Sequence, residues 1–441
     1  MPADIKHLAL VAGGKGTRLA SVAGAVPKVL VPVGGKPVLA HHLALAAACG
    51  IDSVTIFVGH RAADIQTFVG DGAQFGLSVR VIVEDEPLGT AGAVMASLDL
   101  LPENFLLLYA DVMAAVDLQA LARFHHEHRA DFTMLAHPND HPLDSDLLEA
   151  DADGRVTALH AYPHPPQACY ANLVNAALYA IRREALRPLA GARAKRDFIK
   201  DVVPGLIAAG ARVFAYRSSE YLKDMGTPAR LQQAESDYRA GRLSSRGARR
   251  PAIFLDRDGT LNVEKGHIAD LRHLKLYPGV AAALRALRQQ GFRLILVTNQ
   301  SVIARGDASE QDVAAIHRRL EWELGKAGAF LDAIYVCPHH PDRGFPGERP
   351  ALKIACDCRK PGIGLIERAC RDIPIDLSAS WVIGDQTRDI EMARRAGLRS
   401  VLLRTGLASA DNAFQAKPDR VADDLAVAAE LIAAEREVAY S

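Results

Sequence analysis

A chain of 441 residues is roughly three times the length of one typical domain, so two or three independently packed units are expected. Hydrophobic residues at 49% and charged residues at 24% exclude a disordered, collagenous or coiled-coil chain, and 52 basic side chains balanced by 52 acidic ones exclude the global positive footprint of a nucleic-acid binder. No apolar run approaches the roughly 18 residues of a membrane span, and six cysteines are too few for a disulfide scaffold, so a cytoplasmic protein with small-molecule partners is expected.

Short apolar runs at residues 8–11, 54–58, 79–83 and 105–109 alternate with Ala/Leu-rich helical stretches such as 38–49, the rhythm of βαβ units. Residues 118–129 predict an amphipathic helix whose solvated face carries His125, His126 and His128. Residues 239–250 are small, basic and poor in bulky apolar groups, as exposed linkers are. The βαβ rhythm then restarts at 253–255, 294–297, 381–383 and 401–403, with packing helices at 281–290 and 425–434. The expected fold class is therefore α/β, two tandem three-layer α/β/α domains, at residues 1–238 and 251–441 with a linker at 239–250. Cys49, Cys169 and Cys370 have no ligand or catalytic partner nearby in sequence and read as isolated thiols.

The first strand runs into Ala12-Gly-Gly-Lys-Gly-Thr-Arg-Leu19, where glycines let backbone N–H groups turn toward phosphate oxygens. Taken alone, this loop is also compatible with a generic glycine turn. Pro27-Lys28, Gly34-Gly35-Lys36-Pro37 and Glu86-Pro-Leu-Gly-Thr-Ala-Gly92 add fixed cations, rigid turns and a second flexible loop. Together these segments resemble the sugar-phosphate nucleotidyltransferases over residues 5 to about 235. The resemblance implies a Rossmann-like domain in which Gly13, Gly14, Gly16 and Thr17 bind a nucleoside triphosphate and Arg18 meets the departing pyrophosphate. It further implies that Lys28 meets phosphate, that Gly89 and Thr90 lie along the base, and that Asp111 and Asp224 hold Mg²⁺. Two departures stand out. Ala110 replaces the usual glycine before the aspartate, and Leu159-His-Ala-Tyr-Pro163 stands where many relatives carry Glu-Lys-Pro. His160 or His164 is a candidate substitute for the lost cation, and Asn172 and Asn175 offer amides to sugar hydroxyls. Asp224 also fits a turn residue before Gly226-Thr-Pro228.

In the second half, Asp256 and Asp258 follow an apolar strand at i and i+2, on the same side of an extended backbone, a pairing suited to Mg²⁺-assisted phosphoryl chemistry. One carboxylate can attack phosphorus while the other shuttles the proton. Thr298-Asn299, Lys360-Pro361 and Gly384-Asp385 also follow strand-like runs or a loop, and strand C-termini converge on the ligand crevice of a parallel sheet. Cys337-Pro-His339 and, after sixteen residues, Cys356-Asp-Cys358 form a closed tetrahedral set for structural Zn²⁺. His340 is a spare neighbour.

This constellation resembles the haloacid dehalogenase (HAD) superfamily of phosphohydrolases from residue 251 to about 430. The resemblance implies Asp256 as nucleophile, Asp258 as acid/base, and Thr298, Asn299 and Lys360 around the phosphoryl group. Mg²⁺ is expected among Asp256, Asp258 and Asp385, with Asp389 in support. The zinc loop and Cys358-Arg359-Lys360-Pro361 look like the zinc-containing branch that houses heptose bisphosphate and histidinol-phosphate phosphatases, which makes Arg359 a substrate-phosphate clamp. Because such a phosphatase yields a sugar 1-phosphate and a nucleotidyltransferase consumes one, the expectation is a bifunctional enzyme of nucleotide-heptose synthesis using GTP. The alternatives are another sugar or nucleotide, histidinol-phosphate hydrolysis, or a first domain that binds nucleotide without transferring it.

Overall fold

Successive side chains of the strand His7–Val11 face opposite ways, so Leu8 and Leu10 enter one core and Ala9 another. The same alternation divides Leu106 and Leu108 from Phe105 and Leu107 in the strand Asn104–Tyr109. Strands apolar on both faces require cover on both, which explains why their sequences read as continuous hydrophobic runs. In the computed structural model, which describes residues 5–14, 26–190, 194–243 and 249–440, helices Val38–Ala48, Ala62–Val69 and Leu118–Glu127 cover one face. Helix Gly89–Ala96 and the helical stretch through Val203–Ala208 cover the other.

The chain divides into two compact units, the first comprising Met1–His137, Ser145–Pro163 and Leu173–Gly247. Its sheet centres on His7–Val11, flanked in parallel by Ser53–Val58 and Asn104–Tyr109, with Ser78–Val83 parallel beyond Ser53–Val58. Val174–Arg182 adds antiparallel to Asn104–Tyr109 and also pairs with Phe132–His137, which Val213–Arg217 joins in parallel. A separate antiparallel ribbon joins Val112–Ala115 to Tyr221–Asp224.

The second unit comprises Pro138–Asp144, His164–Asn172 and Ala248–Ser441. Its six strands are all parallel, in the order Ala333–Cys337, Arg293–Asn299, Ala252–Leu255, Trp381–Gly384, Arg399–Leu403, Arg420–Ala422. Helices Val280–Gln289, Glu310–Lys326 and Leu425–Tyr440 lie over one face, and Gly364–Asp372 and Thr387–Ala396 over the other. Capping boxes start two of these helices, Ser309 with Asp312 and Gln386 with Asp389. The segments Pro138–Asp144 and His164–Asn172 belong to this unit through contacts such as Tyr170 edge-on to Trp322, with ring centroids 6.0 Å apart. Both units are three-layer α/β structures, as the alternation of apolar runs predicts.

Two expectations need correction. Residues 138–144 and 164–172, expected within the first domain at 1–238, group with the second unit. His125 is not on a solvated face: it is buried, because it falls seven residues after Leu118 and joins Leu118, Leu121 and Ala122 on the core stripe. His126 and His128 are half-buried, and the His128 ring stacks on Phe124. Cys49, Cys169 and Cys370 are unbridged, as expected. Among the described residues, no helix is long and apolar enough to cross a membrane.

Candidate active sites

In the first unit, Ala12 N donates to Phe57 O at 2.8 Å and Ala110 N to Val11 O at 3.0 Å, so the loops of Gly13-Gly14 and of Asp111 leave neighbouring strands at their carboxyl ends. Ligands of open α/β sheets bind at that edge. Gly16, Thr17 and Arg18 lie outside the described residues. Lys28, 83 positions away in sequence, places Nζ 2.6 Å from Asp111 Oδ2. The ribbon sets Asp224 opposite Val112, and Met225 N donates to Asp111 O at 3.0 Å, which brings the two predicted metal carboxylates into adjacent register. Asp224 also has the turn role its sequence context suggests: Oδ1 accepts from Gly226 N at 2.7 Å, and Oδ2 pairs with Arg230.

The second loop is braced from below. Gly89 has φ +77°, and a Cβ there would lie 2.4 Å from Arg196 O, so no side chain fits. Thr90 Oγ1 donates to Asp197 Oδ2 and accepts from Phe198 N, both at 3.0 Å. Glu84, buried, accepts from Leu88 N at 3.0 Å, and its other oxygen would be 2.7 Å from a Cβ on Gly13, so only glycine fits beside this carboxylate. Asn175 Nδ2 donates to the Tyr179 hydroxyl at 3.0 Å. Asn172 is buried in the second unit and clamps Asn139, accepting from its N–H at 3.1 Å and donating to its carbonyl at 2.7 Å. It is thus a loop staple, not a free amide. His160 faces Glu149 at 3.1 Å, while His164 packs edge-on against Tyr170 and Trp322 in the second unit.

In the second unit, Asp256, Thr298 and Asp385 all sit at carboxyl ends of central parallel strands. Asp256, Asp385 and Asp389 are buried, with carboxylate oxygens within 4.8 Å of one another. Lys360 Nζ lies 2.8 Å from Asp256 and 2.6 Å from Asp389. Three carboxylates against one ammonium leave an excess of two negative charges in a desolvated space, the balance a divalent cation restores. Burial, reinforced by Asp256 and Asp389, pushes the Asp385 carboxyl up to about 8. Asp385 Oδ1 is buried without a hydrogen-bond partner, while Oδ2 accepts from Leu407 N at 2.7 Å. The residues therefore fit a divalent metal. Gly259, at φ +79°, leaves room for the Asp385 carboxylate: a Cβ there would lie 2.2 Å from its Oδ2.

Asp258 is not among these clustered donors. Arg257, wholly buried, grips it with Nε at 3.1 Å and Nη2 at 2.8 Å, and Asn262 and Gln300 donate at 2.9 and 3.0 Å. Burial opposes ionisation of Asp258, yet Arg257 and the amides hold its pKa below the ordinary aspartate value. Arg257 is held in turn by His317 Nε2 at 3.2 Å. Arg257, Asn262, Gln300 and His317 escaped sequence reasoning. Gln300 was detectable, since it follows Thr298 by two and bonds both its hydroxyl, at 2.8 Å, and Asp258. Asn299 braces Lys360 through its backbone, accepting from Lys360 N at 3.0 Å and donating to Lys360 O at 3.3 Å.

The thiols of Cys337, Cys356 and Cys358 and Nδ1 of His339 also lie within 4.8 Å of one another. Five of the six separations run from 3.3 Å (Cys358 to Cys337 and to Cys356) to 3.8 Å (Cys337 to His339). A tetrahedron with metal–sulfur arms of about 2.3 Å has edges of about 3.8 Å, so the set fits a tetrahedral ion. Burial raises the Cys358 thiol above its usual range and the Cys337 thiol well above it, a cost that a coordinated cation reverses. Arg359, next in sequence, donates to His339 O at 3.1 Å and so ties the cationic loop to the cysteine loop.

These sites define an enzyme with two phosphoryl-transfer centres, a nucleotidyltransferase followed by a HAD-type phosphomonoester hydrolase. The nucleotidyl transferase family profile matches residues 9–241, and the HAD-hydrolase-like profile matches residues 357–428. The chain is 43% identical over 157 residues to a D-glycero-beta-D-manno-heptose-1,7-bisphosphate 7-phosphatase of Yersinia pestis, covering 35% of this chain and 81% of that one. It is 43% identical over 159 residues to the Haemophilus ducreyi protein of the same name, covering 36% of this chain and 85% of that one. Among solved structures, HddC from Yersinia pseudotuberculosis aligns with 53% of this chain and 100% of its own, at 22% identity and TM-score 0.46. D,D-heptose 1.7-bisphosphate phosphatase from B. bronchiseptica aligns with 42% of this chain and 99% of its own, at 33% identity and TM-score 0.37. The chain belongs to the nucleotidyl transferase family through its first half and to the phosphatase family of these relatives through its second.

Proposed function

We propose that the enzyme removes the 7-phosphate of D-glycero-D-manno-heptose 1,7-bisphosphate and then transfers GMP from GTP to the resulting heptose 1-phosphate, releasing pyrophosphate, in the cytoplasm where the triphosphate is found. The observation that carries this reading is the fusion itself. A phosphatase half 43% identical to heptose 1,7-bisphosphate 7-phosphatases leaves a sugar 1-phosphate, the kind of nucleophile a nucleotidyl transferase accepts. The guanine base rests on this pairing alone.

In the hydrolytic half, Asp256 attacks phosphorus and the sugar oxygen leaves with a proton from Asp258, giving an aspartyl phosphate, an alcohol and an ionised Asp258. Lys360 and Thr298 face the phosphoryl oxygens, and Arg359 clamps the second phosphate. Asp258, held ionised by Arg257, Asn262 and Gln300, is in the form that takes a proton from the water that cleaves the aspartyl phosphate. Asp256, Asp385 and Asp389 would hold Mg²⁺, which offsets the charge of the phosphoryl group. Cys337, His339, Cys356 and Cys358 would hold structural Zn²⁺, stiffening the loop that carries Arg359 and Lys360.

In the transfer half, the substrate phosphate is already ionised and needs no enzyme base. Gly13, Gly14, Gly16 and Thr17 cradle the triphosphate, Arg18 and Lys28 meet its charge, and Gly89 and Thr90 lie along the base. Asp111 and Asp224 would hold Mg²⁺, and Asn175 offers its amide to the sugar. The test is phosphate and pyrophosphate release from both anomers of heptose 1,7-bisphosphate with each of the four ribonucleoside triphosphates. Phosphate followed by GTP-dependent pyrophosphate is expected. Phosphate release with no pyrophosphate from any triphosphate would refute the transfer step.

A further inference from the structure

A cavity of about 420 Å³ opens in the first unit, lined by His125, His126, Arg129, Asp131, Arg182 and Arg212. Asn104 also borders it, at the start of the strand whose other end leads to Asp111, so this cavity lies at the sheet edge opposite the glycine loop. Three guanidinium groups stand there against one carboxylate. Asp131 is already engaged, accepting from Arg182 Nε at 3.0 Å and from Arg212 N at 2.8 Å. The Arg212 guanidinium reaches only a neutral carbonyl, that of His128. Arg129 is exposed and its side chain makes no ion pair or hydrogen bond with the described residues. Counting the guanidinium groups against Asp131, two uncompensated positive charges remain.

The wall carries a second, independent sign of a ligand. His125 is 2% exposed, its Nδ1 lies 2.8 Å from Thr133 Oγ1, and its Nε2 is buried with no hydrogen-bond partner. Burial holds this ring down to about 4, so it is neutral at pH 7. One ring nitrogen is spent on Thr133, and Nε2 remains a buried polar atom with its hydrogen-bonding capacity unspent. Nε2 of His126 is likewise buried and unpartnered. Unneutralised guanidinium groups beside unspent buried imidazole nitrogens are the chemistry that recognises a phosphoryl group, since arginine presents planar paired donors to its oxygens.

We propose that this cavity binds the phosphoryl group of a small metabolite, at a site separate from both reaction centres. The nothing-but-phosphate case and the phosphate-ester case share this chemistry, and the volume leaves room for a sugar beyond the phosphate. The experiment is hydrogen-exchange mass spectrometry on the full chain, titrated separately with inorganic phosphate and with glucose 6-phosphate. Slowed exchange in peptides covering residues 125–131 and 212 is expected with at least one probe. Tighter binding of the ester assigns the site to a sugar phosphate, whereas equal binding assigns it to free phosphate. Arg212→Gln should weaken the response at least about tenfold, the scale of one lost charge-assisted hydrogen bond, with both catalytic activities intact. Should that variant fail to fold, Arg129→Ala, at an exposed and unpaired position, gives the same reading. Slowing confined to the reaction centres, or a response unchanged in Arg129→Ala, would overturn the proposal.

Discussion

Replacing Lys360 by Met tests the charge balance of the phosphatase centre. The ammonium stands 2.8 Å from Asp256 and 2.6 Å from Asp389, with all three side chains at least nine-tenths buried. Methionine fills similar volume without charge, so the change removes the pair and little packing. Breaking a buried ion pair by deleting one partner costs about 3–5 kcal/mol, because the other charge stays desolvated. With a denaturant slope of about 2–3 kcal/mol per molar urea, the unfolding midpoint should fall by about 1–2.5 M in buffer without added Mg²⁺. The assay is direct, since both tryptophans of the chain, Trp322 and Trp381, belong to the second unit and report its unfolding alone. Adding Asp389→Asn to Lys360→Met should recover part of the loss, whereas Asp389→Asn in the parent chain should destabilise. A Lys360→Met variant within about 0.5 kcal/mol of the parent, the scale of an ordinary surface change, would refute the claim that Lys360 balances this cluster.

Further outcomes follow from the same geometry. Asp256→Asn should lower phosphate release by at least about 1,000-fold while leaving pyrophosphate release unchanged, and Asp111→Asn should do the reverse; equal loss of both activities in either variant would sink the independence of the centres. Cys358→Ser should lower the zinc content of purified protein and abolish phosphate release without touching transfer, since structural zinc contributes on the order of 10–16 kcal/mol in finger peptides. Metal analysis that finds no zinc in active parent protein would dispose of that assignment. His42 and His125 are held down to about 4 by burial, against 6.5 when unfolded. The unfolded chain therefore binds more protons between those values, and the first unit should lose stability as pH falls through that window, by up to about 3 kcal/mol per histidine. Circular dichroism melts of the parent and His42→Gln chains check this, and identical pH profiles for the two would count against it.

Much of both centres was legible because the chemistry is concentrated at strand ends. Asp256, Thr298 and Asp385 each follow a short apolar run, and an all-parallel sheet gathers such positions at one edge. The cysteine and histidine spacing likewise picked out four side chains whose candidate ligand atoms lie within 4.8 Å of one another. Side-chain partnership was less legible. Asp258 and Asp256 share an i, i+2 relation, yet Asp258 is drawn toward Arg257, Asn262 and Gln300 while Asp389 joins the carboxylate cluster. Extended-strand parity sets which side a residue leaves from, but here buried Arg257 offers a closer countercharge, and that arginine is itself held by His317, sixty residues on.

The sequence by itself determined the two α/β units, the positions of their strands, the paired aspartates and the cysteine loop, because local periodicity and short motifs encode all of these. Only the tertiary structure decided which groups meet: Lys28 with Asp111, Asp224 beside it across a ribbon, Lys360 between Asp256 and Asp389, and His125 in a basic cavity instead of on a wet helix face. Those meetings depend on strand order and on which charges lose their water together, and neither is written in the spacing of residues along the chain.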